Sequence, residues 1–177
     1  MIGVLVSGEG SNLQALLDAG LPVAAVASNR DGVRALERAE AAGVAAAAFL
    51  LDEFADRAQR DTTMANWLQE QGVRLVVCAG YMHLLTAPFL ERFPERIVNV
   101  HPSLLPQFPG ARAIDEAVAA GVETTGVTVH LVDEGLDTGA VIRQEPVPVE
   151  PAETLATRIQ AVEHRLLPEV VRELCVR

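Results

Sequence analysis

The sequence contains no lysine: all 14 of its basic residues are arginines, and with 24 acidic residues the formal net charge is −10. The absence of lysine excludes Schiff-base chemistry and a Walker-type nucleotide loop, which places a lysine on the phosphates. An acidic chain also binds nucleic acid poorly, because that affinity depends on neutralising phosphates. An anionic ligand must therefore be bound locally, by backbone N–H groups or by a few arginines.

Cysteines and long apolar runs are also scarce. The two cysteines, Cys78 and Cys175, indicate neither a disulfide framework nor a zinc site, which favours a reducing cytoplasm. The longest apolar stretch, residues 44–51, is too short to span a membrane, and the start of the chain lacks the pattern of a signal peptide. We expect one soluble domain over residues 1–177, a monomer or weak homodimer, without a membrane or nucleic-acid partner.

The order of apolar runs and helical patterns indicates the fold class. Strands are predicted at 2–6, 23–27, 44–49, 73–79 and 97–100, with two β-rich segments at 126–132 and 141–149. Helices are predicted from residue 11 onward and at 33–42, 54–71, 87–92, 112–120 and 155–176, the last kinked or broken at Pro168. The alternation predicts an α/β protein with a Rossmann-like, mostly parallel doubly wound sheet. The two C-terminal β-rich segments predict an antiparallel addition to that sheet.

The first candidate site is the loop 8–12, which joins the first strand to the first helix. Its glycines allow close backbone approach, and the N–H groups that open the next helix form an anion site. Ser11 and Asn12 either add side-chain donors for the anion or cap the helix. A tight strand-to-helix turn without a ligand explains the loop equally well. A dinucleotide fingerprint would require a third glycine where Leu13 stands, so a nicotinamide enzyme is disfavoured.

The second candidate site is the end of the fifth strand. Asn99 and His101 are two positions apart and therefore share a face of the strand. A carboxamide beside an imidazole can stabilise an oxyanion and transfer a proton. A lone histidine at a strand end is more often structural, but its asparagine partner and the proline-rich loop 102–109 favour a catalytic role.

The third candidate site is the loop 133–139, which contains three carboxylates among glycines. Such a loop is usually a solvated turn, and although a divalent cation is conceivable, the ligand spacing of a calcium loop is absent. If Asp137 lies beside His101, it favours the imidazolium form and raises that pKa.

Several other side chains have competing interpretations. His130 is expected to be hydrogen-bonded in the core or to line a pocket. Residues 81–85 line an apolar pocket or belong to the core, which would leave His83 on the surface. Arg57 and Glu163 would ordinarily be solvated.

Five motifs are spread over nearly the whole chain: Ser-Gly-Glu-Gly-Ser-Asn-Leu-Gln at 7–14, Ser-Asn at 28–29, Ala-Gly-Tyr-Met at 79–82, Asn-Val-His-Pro-Ser-Leu-Leu-Pro at 99–106 and Leu-Asp-Thr-Gly at 136–139. Together they resemble the motifs of the glycinamide ribonucleotide formyltransferases, a family of folate-dependent enzymes of purine synthesis. The first motif resembles the phosphate loop that distinguishes this family. The last two are shared with methionyl-tRNA formyltransferase and formyltetrahydrofolate hydrolase.

The resemblance implies a substrate-binding N-terminal half, a folate-binding C-terminal half, 10-formyltetrahydrofolate as co-substrate and no metal. It implies direct formyl transfer to the amine of glycinamide ribonucleotide through a tetrahedral intermediate. Its catalytic residues would be Asn99, His101 and Asp137. The substrate would be bound by Gly10, Ser11, Asn12, Gln160 and Glu163. The folate would be bound by Arg57, Met82, His83, Leu84, Leu85, Asn99, Asp133, Glu134, Gly135, Leu136 and Asp137.

Three alternatives remain at this point. A hydrolase would use water in place of the amine, and a non-catalytic folate- or phosphosugar-binding module would keep the pocket but would not need all three catalytic groups. A tRNA formyltransferase would usually bring an extra C-terminal domain and a basic surface. The chain also differs from the family pattern in the loop after Gly110, where Arg112 replaces the common histidine.

Overall fold

The computed structural model describes residues 1–176, which form seven strands and six α-helices. The strands are β1 (Ile2–Val6), β2 (Val23–Ser28), β3 (Ala45–Ala48), β4 (Leu75–Cys78), β5 (Ile97–His101), β6 (Thr124–Leu131) and β7 (Val141–Pro148). The helices are α1 (Ser11–Asp18), α2 (Arg34–Ala41), α3 (Arg57–Glu70), α4 (Ala87–Leu90), α5 (Ala113–Ala120) and α6 (Leu155–Val176). Short 3₁₀ turns at Leu51–Glu53 and Ala152–Thr154 precede α3 and α6.

All seven strands form one sheet in the order β3-β2-β1-β4-β5-β6-β7. The pairs from β3 to β5 are parallel, whereas β5–β6 and β6–β7 are antiparallel. The predicted Rossmann-like sheet with an antiparallel C-terminal addition is therefore confirmed. Every residue of β1 is buried, as expected for a central strand covered on both faces.

Helices cover both faces of the sheet because successive strand residues point to opposite sides. In β4, Leu75 and Val77 pack in the core beneath α1, α2 and α6, while Val76 and Cys78 pack against α3 and α4. The strand order reverses direction between β1 and β4, and the loops that follow these two strands leave from the same edge. In open α/β sheets that crevice is where ligands bind.

The predicted element ends lie within three residues of the observed ones, with one correction in α6. Pro168 does not break the last helix, which continues through it to Val176. Leu166, Leu167, Val170 and Val171 around it are buried in the core, and this packing offsets the backbone hydrogen bond that proline cannot donate. No helix within residues 1–176 has the length and apolar content required to cross a bilayer.

Candidate active site

Two adjoining cavities open at the carboxyl ends of β1, β4 and β5. The N-terminal cavity, of about 340 Å³, is lined by residues 7–12 and by Arg30, Ala79, Gly80 and Met82. The histidine cleft, of about 300 Å³, is lined by the ends of β4, β5 and β6 and by parts of the segments 80–85 and 132–137. Asn12, Gly80 and Met82 border both, so the two cavities are neighbouring parts of one depression.

The N-terminal cavity is built around the start of α1. Gly10 has a φ of 73°, and a Cβ at this position would lie 2.6 Å from the Cβ of Ala35, so only glycine fits. No side chain caps α1, and the first N–H groups of a helix have no intrahelical acceptor. An anion placed here would meet these N–H groups and the positive end of the helix dipole, and the anion site stays a prediction.

Helix α6 lies against this loop and closes one side of it. The Gln160 side-chain amide donates to the Ser11 hydroxyl at 3.0 Å, and the Asn12 amide donates to the Glu163 carboxylate at 3.0 Å. The structure therefore brings together the four side chains predicted at the substrate end, although they are about 150 positions apart. Glu163 is half-buried rather than solvated. Burial raises its pKa, and the hydrogen bond from Asn12 offsets part of that rise.

The histidine cleft contains the predicted cluster at the end of β5. Asp137 Oδ2 lies 3.4 Å from His101 Nδ1 and accepts a hydrogen bond from the Gly110 N–H at 2.8 Å. Its other oxygen, Oδ1, lies 3.4 Å from Asn99 Nδ2. The loop 133–139 thus places the Asp137 carboxylate beside the His101 imidazole. The sequence alone could not establish this contact.

Two residues with left-handed backbone shape this cluster. Asp137 has a φ of 55°, which aspartate tolerates better than most residues, and Phe108 has a φ of 51°. The Phe108 carbonyl accepts from His101 Nε2 at 2.8 Å. Both ring nitrogens of His101 therefore face acceptors, an arrangement satisfied completely only by the imidazolium form.

His130 is a fourth member of the cluster. Sequence reasoning placed it in the core or the pocket lining, and it does line the cleft, 2% exposed. The antiparallel register sets it directly opposite Asn99, with Nε2 3.2 Å from Asn99 Nδ2 and 3.6 Å from Asp137 Oδ1. Its Nδ1 lies 2.7 Å from the Leu131 carbonyl, so Nδ1 carries the proton and Nε2 is free to accept from Asn99. The sequence signal that could have placed His130 in the site is its spacing: Thr128 and His130 are two positions apart and therefore lie on the same face of β6.

The carboxylate of Asp137 is held ionised by these neighbours. Burial acts to raise its pKa, but the contact with His130, the hydrogen bond from the Gly110 N–H and the electrostatic effect of His101 outweigh burial, and the net effect lowers the pKa below its usual value. Asp137 is therefore a carboxylate throughout the neutral range. It can orient His101 and accept a proton relayed from a substrate.

The segment after β4 forms the far wall of the histidine cleft. Met82 and Leu84 are exposed and Leu85 is buried, so this segment offers apolar surface to a ligand. The Arg57 guanidinium is exposed, but it donates to the Leu84 carbonyl at 2.6 Å and so supports this wall. His83 was expected on the surface, but it is half-buried. Its Nδ1 lies 2.7 Å from Arg60 Nη1, and its Nε2 lies 3.3 Å from the side-chain amide of Asn29.

The loop 133–137 closes the cleft on the other side. The Asp133 carboxylate accepts hydrogen bonds from the Gly135 N–H at 3.0 Å and from the Thr138 hydroxyl at 2.6 Å, and these bonds connect the two ends of the loop. Gly139 is required at its end, because a Cβ there would lie 1.8 Å from the Leu131 carbonyl oxygen. Over residues 1–176, no group of three or more histidine, cysteine or acidic side chains is arranged to hold a metal ion. Arg112 is exposed at the start of α5 and does not border the cleft.

A Rossmann-like sheet whose carboxyl edge holds Asn99, His101 and Asp137 beside an uncapped helix terminus is the arrangement expected of a formyltransferase. The chain belongs to the formyl transferase family, whose model matches residues 1–171. The roles of the individual side chains stay predictions.

Named relatives fall into two groups. Phosphoribosylglycinamide formyltransferase of Haemophilus influenzae is 38% identical over 180 residues, covering 97% of this chain and 85% of the relative. The trifunctional purine biosynthetic protein adenosine-3 of Drosophila melanogaster is 42% identical over 98% of this chain, which spans only 14% of that much longer protein. The crystal structure of glycinamide ribonucleotide transformylase 1 from Symbiobacterium toebii matches with a TM-score of 0.94 and 47% identity, covering 97% of this chain and 85% of that one.

Proposed function

We propose that this chain transfers the formyl group of 10-formyltetrahydrofolate to the amine of glycinamide ribonucleotide, by direct attack through a tetrahedral intermediate. The observation that carries the proposal is that the anion-binding N-terminal cavity and the histidine cleft adjoin and share Asn12, Gly80 and Met82. A substrate with a phosphate in the first cavity can therefore extend its other end to the Asn99–His101–Asp137 cluster. The relatives named for this activity support the same assignment.

The phosphate end of the substrate is assigned to the start of α1. Gly10, Ser11 and Asn12 supply the backbone donors, and Arg30 supplies a cation at the cavity wall. The neighbouring Arg34 and Arg38 contact Glu9 at 3.3 and 2.9 Å, so their charge is already compensated. Because the chain has no lysine and is acidic overall, Arg30 is the side chain best placed to balance the phosphate charge.

The ribose and glycinamide portion is assigned to the contact between α1 and α6. The Glu163 carboxylate and the Asn12 side chain border the histidine cleft, and Gln160 lies one helical turn away on α6. Asn12 Oδ1 is a buried acceptor without a hydrogen-bond donor among the described residues. A substrate hydroxyl or amine would satisfy it and would also hydrogen-bond to Glu163.

The folate is assigned to the apolar part of the histidine cleft. The segment 82–85 and Leu136 both line the histidine cleft, and Arg57 supports this segment through its hydrogen bond to the Leu84 carbonyl. The exposed apolar side chains Met82, Leu84 and Leu136, which are 60%, 47% and 52% exposed, offer a surface for a flat ring system.

The reaction is assigned to four side chains that line the histidine cleft, namely Asn99, His101, His130 and Asp137. As the amine attacks the formyl carbon, its carbonyl oxygen becomes an oxyanion beside the imidazolium of His101. Asn99 donates to the oxyanion when it gives up its long 3.4 Å contact with Asp137. His130 accepts the other amide hydrogen of Asn99 and keeps this donor in position.

The proton balance requires one base and one acid. The attacking amine loses a proton, and the folate nitrogen gains one as its bond to the formyl carbon breaks. Asp137, which stays ionised, accepts the first proton through a bound water and the same relay delivers it to the leaving nitrogen. The thiol of Cys78 also lines the cleft, but burial raises its pKa to about 12, so it is not a thiolate nucleophile.

The deciding experiment is a spectrophotometric assay of deformylated folate in the presence and absence of glycinamide ribonucleotide. Product formation that depends on the amine substrate is the expected result. Equal product formation without it would indicate the hydrolase instead. Tight binding of both ligands without any product would indicate a non-catalytic binding module.

We also propose that the chain works in the cytoplasm as a monomer or weak homodimer. Cys78 and Cys175 are both free thiols within the described residues, in keeping with a reducing compartment. Sedimentation velocity at several concentrations tests the oligomeric state, and a stable species larger than a dimer would contradict it.

A further inference from the structure

A continuous chain of polar side chains runs beneath both cavities, from α3 to the loop after β1. Arg60 Nη1 lies 2.7 Å from His83 Nδ1, and His83 Nε2 lies 3.3 Å from the side-chain amide of Asn29. The other end of that amide lies 2.6 Å from Ser7 Oγ, and the Met82 N–H donates to the same oxygen at 2.9 Å. Arg60, Asn29 and Ser7 are buried, at 0%, 8% and 3% exposure.

The arginine end gives this chain its direction. Arg60 is anchored by Asp61, which lies 2.6 Å from its guanidinium and also accepts from the N–H and hydroxyl of Thr86. A guanidinium only donates, so His83 Nδ1 must accept and cannot carry a proton. Burial and the Arg60 charge lower the pKa of His83, which is consequently neutral with its one proton on Nε2.

The orientation of Asn29 follows from that proton. The oxygen and nitrogen of a carboxamide occupy equivalent positions, so its neighbours decide which is which. With the nitrogen towards His83, two donors would face each other across 3.3 Å. In the structure the carboxamide oxygen faces Ser7, whose hydroxyl donates to it at 2.6 Å. Because of the conflict at His83 we assign the reverse orientation, with the oxygen towards His83 Nε2–H and the NH₂ group towards Ser7.

Ser7 then has one unused group. The Met82 N–H donates to its oxygen at 2.9 Å. In the assigned orientation the Asn29 NH₂ group donates to the same oxygen across the 2.6 Å contact, which occupies both lone pairs. Its single hydroxyl proton has no acceptor left among the described residues. Ser7 lines the N-terminal cavity with the start of α1 and Arg30, so the O–H is directed into a cavity that already favours an anion.

We propose that Ser7 donates its hydroxyl proton to a phosphate oxygen of the substrate, and that Asn29, His83 and Arg60 are positioning residues that fix the direction of this donor. The inference rests on the proposed function for the identity of the phosphorylated ligand. It adds a hydroxyl donor to a site to which the start of α1 contributes backbone N–H groups and Arg30 contributes a positive charge.

The test compares two ligands that differ only in the phosphate. Dissociation constants are measured by calorimetry for glycinamide ribonucleotide and for its dephosphorylated nucleoside, with no folate present. Ser7→Ala is expected to weaken binding of the phosphorylated ligand by about 10- to 100-fold, as for loss of a hydrogen bond to a charged group. Binding of the dephosphorylated ligand should change by about twofold or less. Equal losses for both ligands would show a purely structural role and overturn the proposal, as would no loss for either.

A matched pair of variants at His83 tests the direction of the chain. His83→Gln can accept from Arg60 and donate to Asn29, so the preference for the phosphorylated ligand should be retained. His83→Leu can do neither, which lets Asn29 turn its oxygen to Ser7 and draw the hydroxyl proton inward, so the preference should fall about tenfold. Full preference in His83→Leu would overturn the positioning role.

These outcomes separate the inference from the proposed function. A wild-type protein that prefers the phosphorylated ligand but transfers no formyl group would contradict only the proposed function. A wild-type protein that transfers formyl groups while Ser7→Ala keeps the full preference would contradict only the role of Ser7.

Discussion

Replacement of Asp137 by asparagine tests the catalytic cluster most directly. The substitution keeps the shape of the side chain and an oxygen for the Gly110 N–H, which donates at 2.8 Å. It removes the negative charge that lies 3.4 Å from His101 Nδ1 and 3.6 Å from His130 Nε2. The protein should therefore fold, but the imidazolium that the proposed mechanism uses at His101 should lose its counter-charge.

The expected effect is a fall in kcat of about 100- to 1,000-fold. A charge pair at about 4 Å and an effective dielectric constant near 20 is worth about 4 kcal/mol, which corresponds to about a thousandfold at most. Loss of one oxyanion donor in other enzymes costs about 100- to 1,000-fold, in the same range. KM for the amine substrate should change little, because Asp137 does not border the N-terminal cavity.

The assay is amine-dependent formation of deformylated folate, followed with a fold control. Asp115→Asn makes the same chemical change at an exposed position on α5, outside both cavities, and should keep full activity. The lowered pKa of Asp137 means that its contribution to folding is present above the unfolded-state pKa and is lost as the pH falls through the folded-state pKa. The stability deficit of Asp137→Asn should accordingly shrink under acid conditions. A folded variant that retains more than about a third of wild-type kcat would refute the assigned role.

Three further substitutions test the substrate end and its support. Arg30→Gln should raise KM for the ribonucleotide about tenfold with kcat nearly unchanged, whereas Arg74→Gln, at an exposed position, should alter neither constant. An equal rise in KM for both variants would show that Arg30 acts only through the overall charge of the protein and does not contact the phosphate. Glu163→Gln should weaken substrate binding yet stabilise the fold increasingly as the pH rises, because the raised carboxyl pKa makes the wild-type contribution present at low pH and lost at higher pH. A melting-temperature difference from wild type that does not vary with pH would contradict this. Gly10→Ala should destabilise the protein by about 1–3 kcal/mol more than Gly20→Ala, because both glycines have positive φ but only a Cβ at position 10 would press against Ala35. Equal free energies of unfolding for the two variants in chemical denaturation would contradict this steric explanation.

The parallel part of the sheet was readable from the sequence because its physical signal is local. The first four strands are short runs of apolar residues, and the three connections between them each contain a helical pattern followed by a glycine, at Gly20, Gly43 and Gly72. Both ends of the final helix were predicted correctly, but the helix was expected to kink or break at Pro168 and instead continues through it. A proline interrupts an isolated helix, whereas the packing around Pro168 depends on tertiary neighbours that the sequence does not display.

The site was predictable only in part, for the same reason. The motifs identified Asn99, His101 and Asp137 as candidates, but their convergence depends on the left-handed backbone at Phe108 and Asp137, which neither residue type announces. The contact of His130 with the cluster depends on the pairing of β5 with β6. The chain from Arg60 to Ser7 joins four separate segments, and no spacing rule relates them.

The antiparallel pairing of β5 and β6 has an evolutionary consequence. Asn99 and His101 come from one strand and His130 from its partner, so three members of the cluster are set by a single hydrogen-bonded ladder. Inserting or deleting one residue within that ladder would exchange inward and outward faces and put Val129 or Leu131 in the place of His130. Changes in length during divergence should therefore accumulate in the turn before Thr124 and in the outer strand β7, while the ladder itself keeps its residue count.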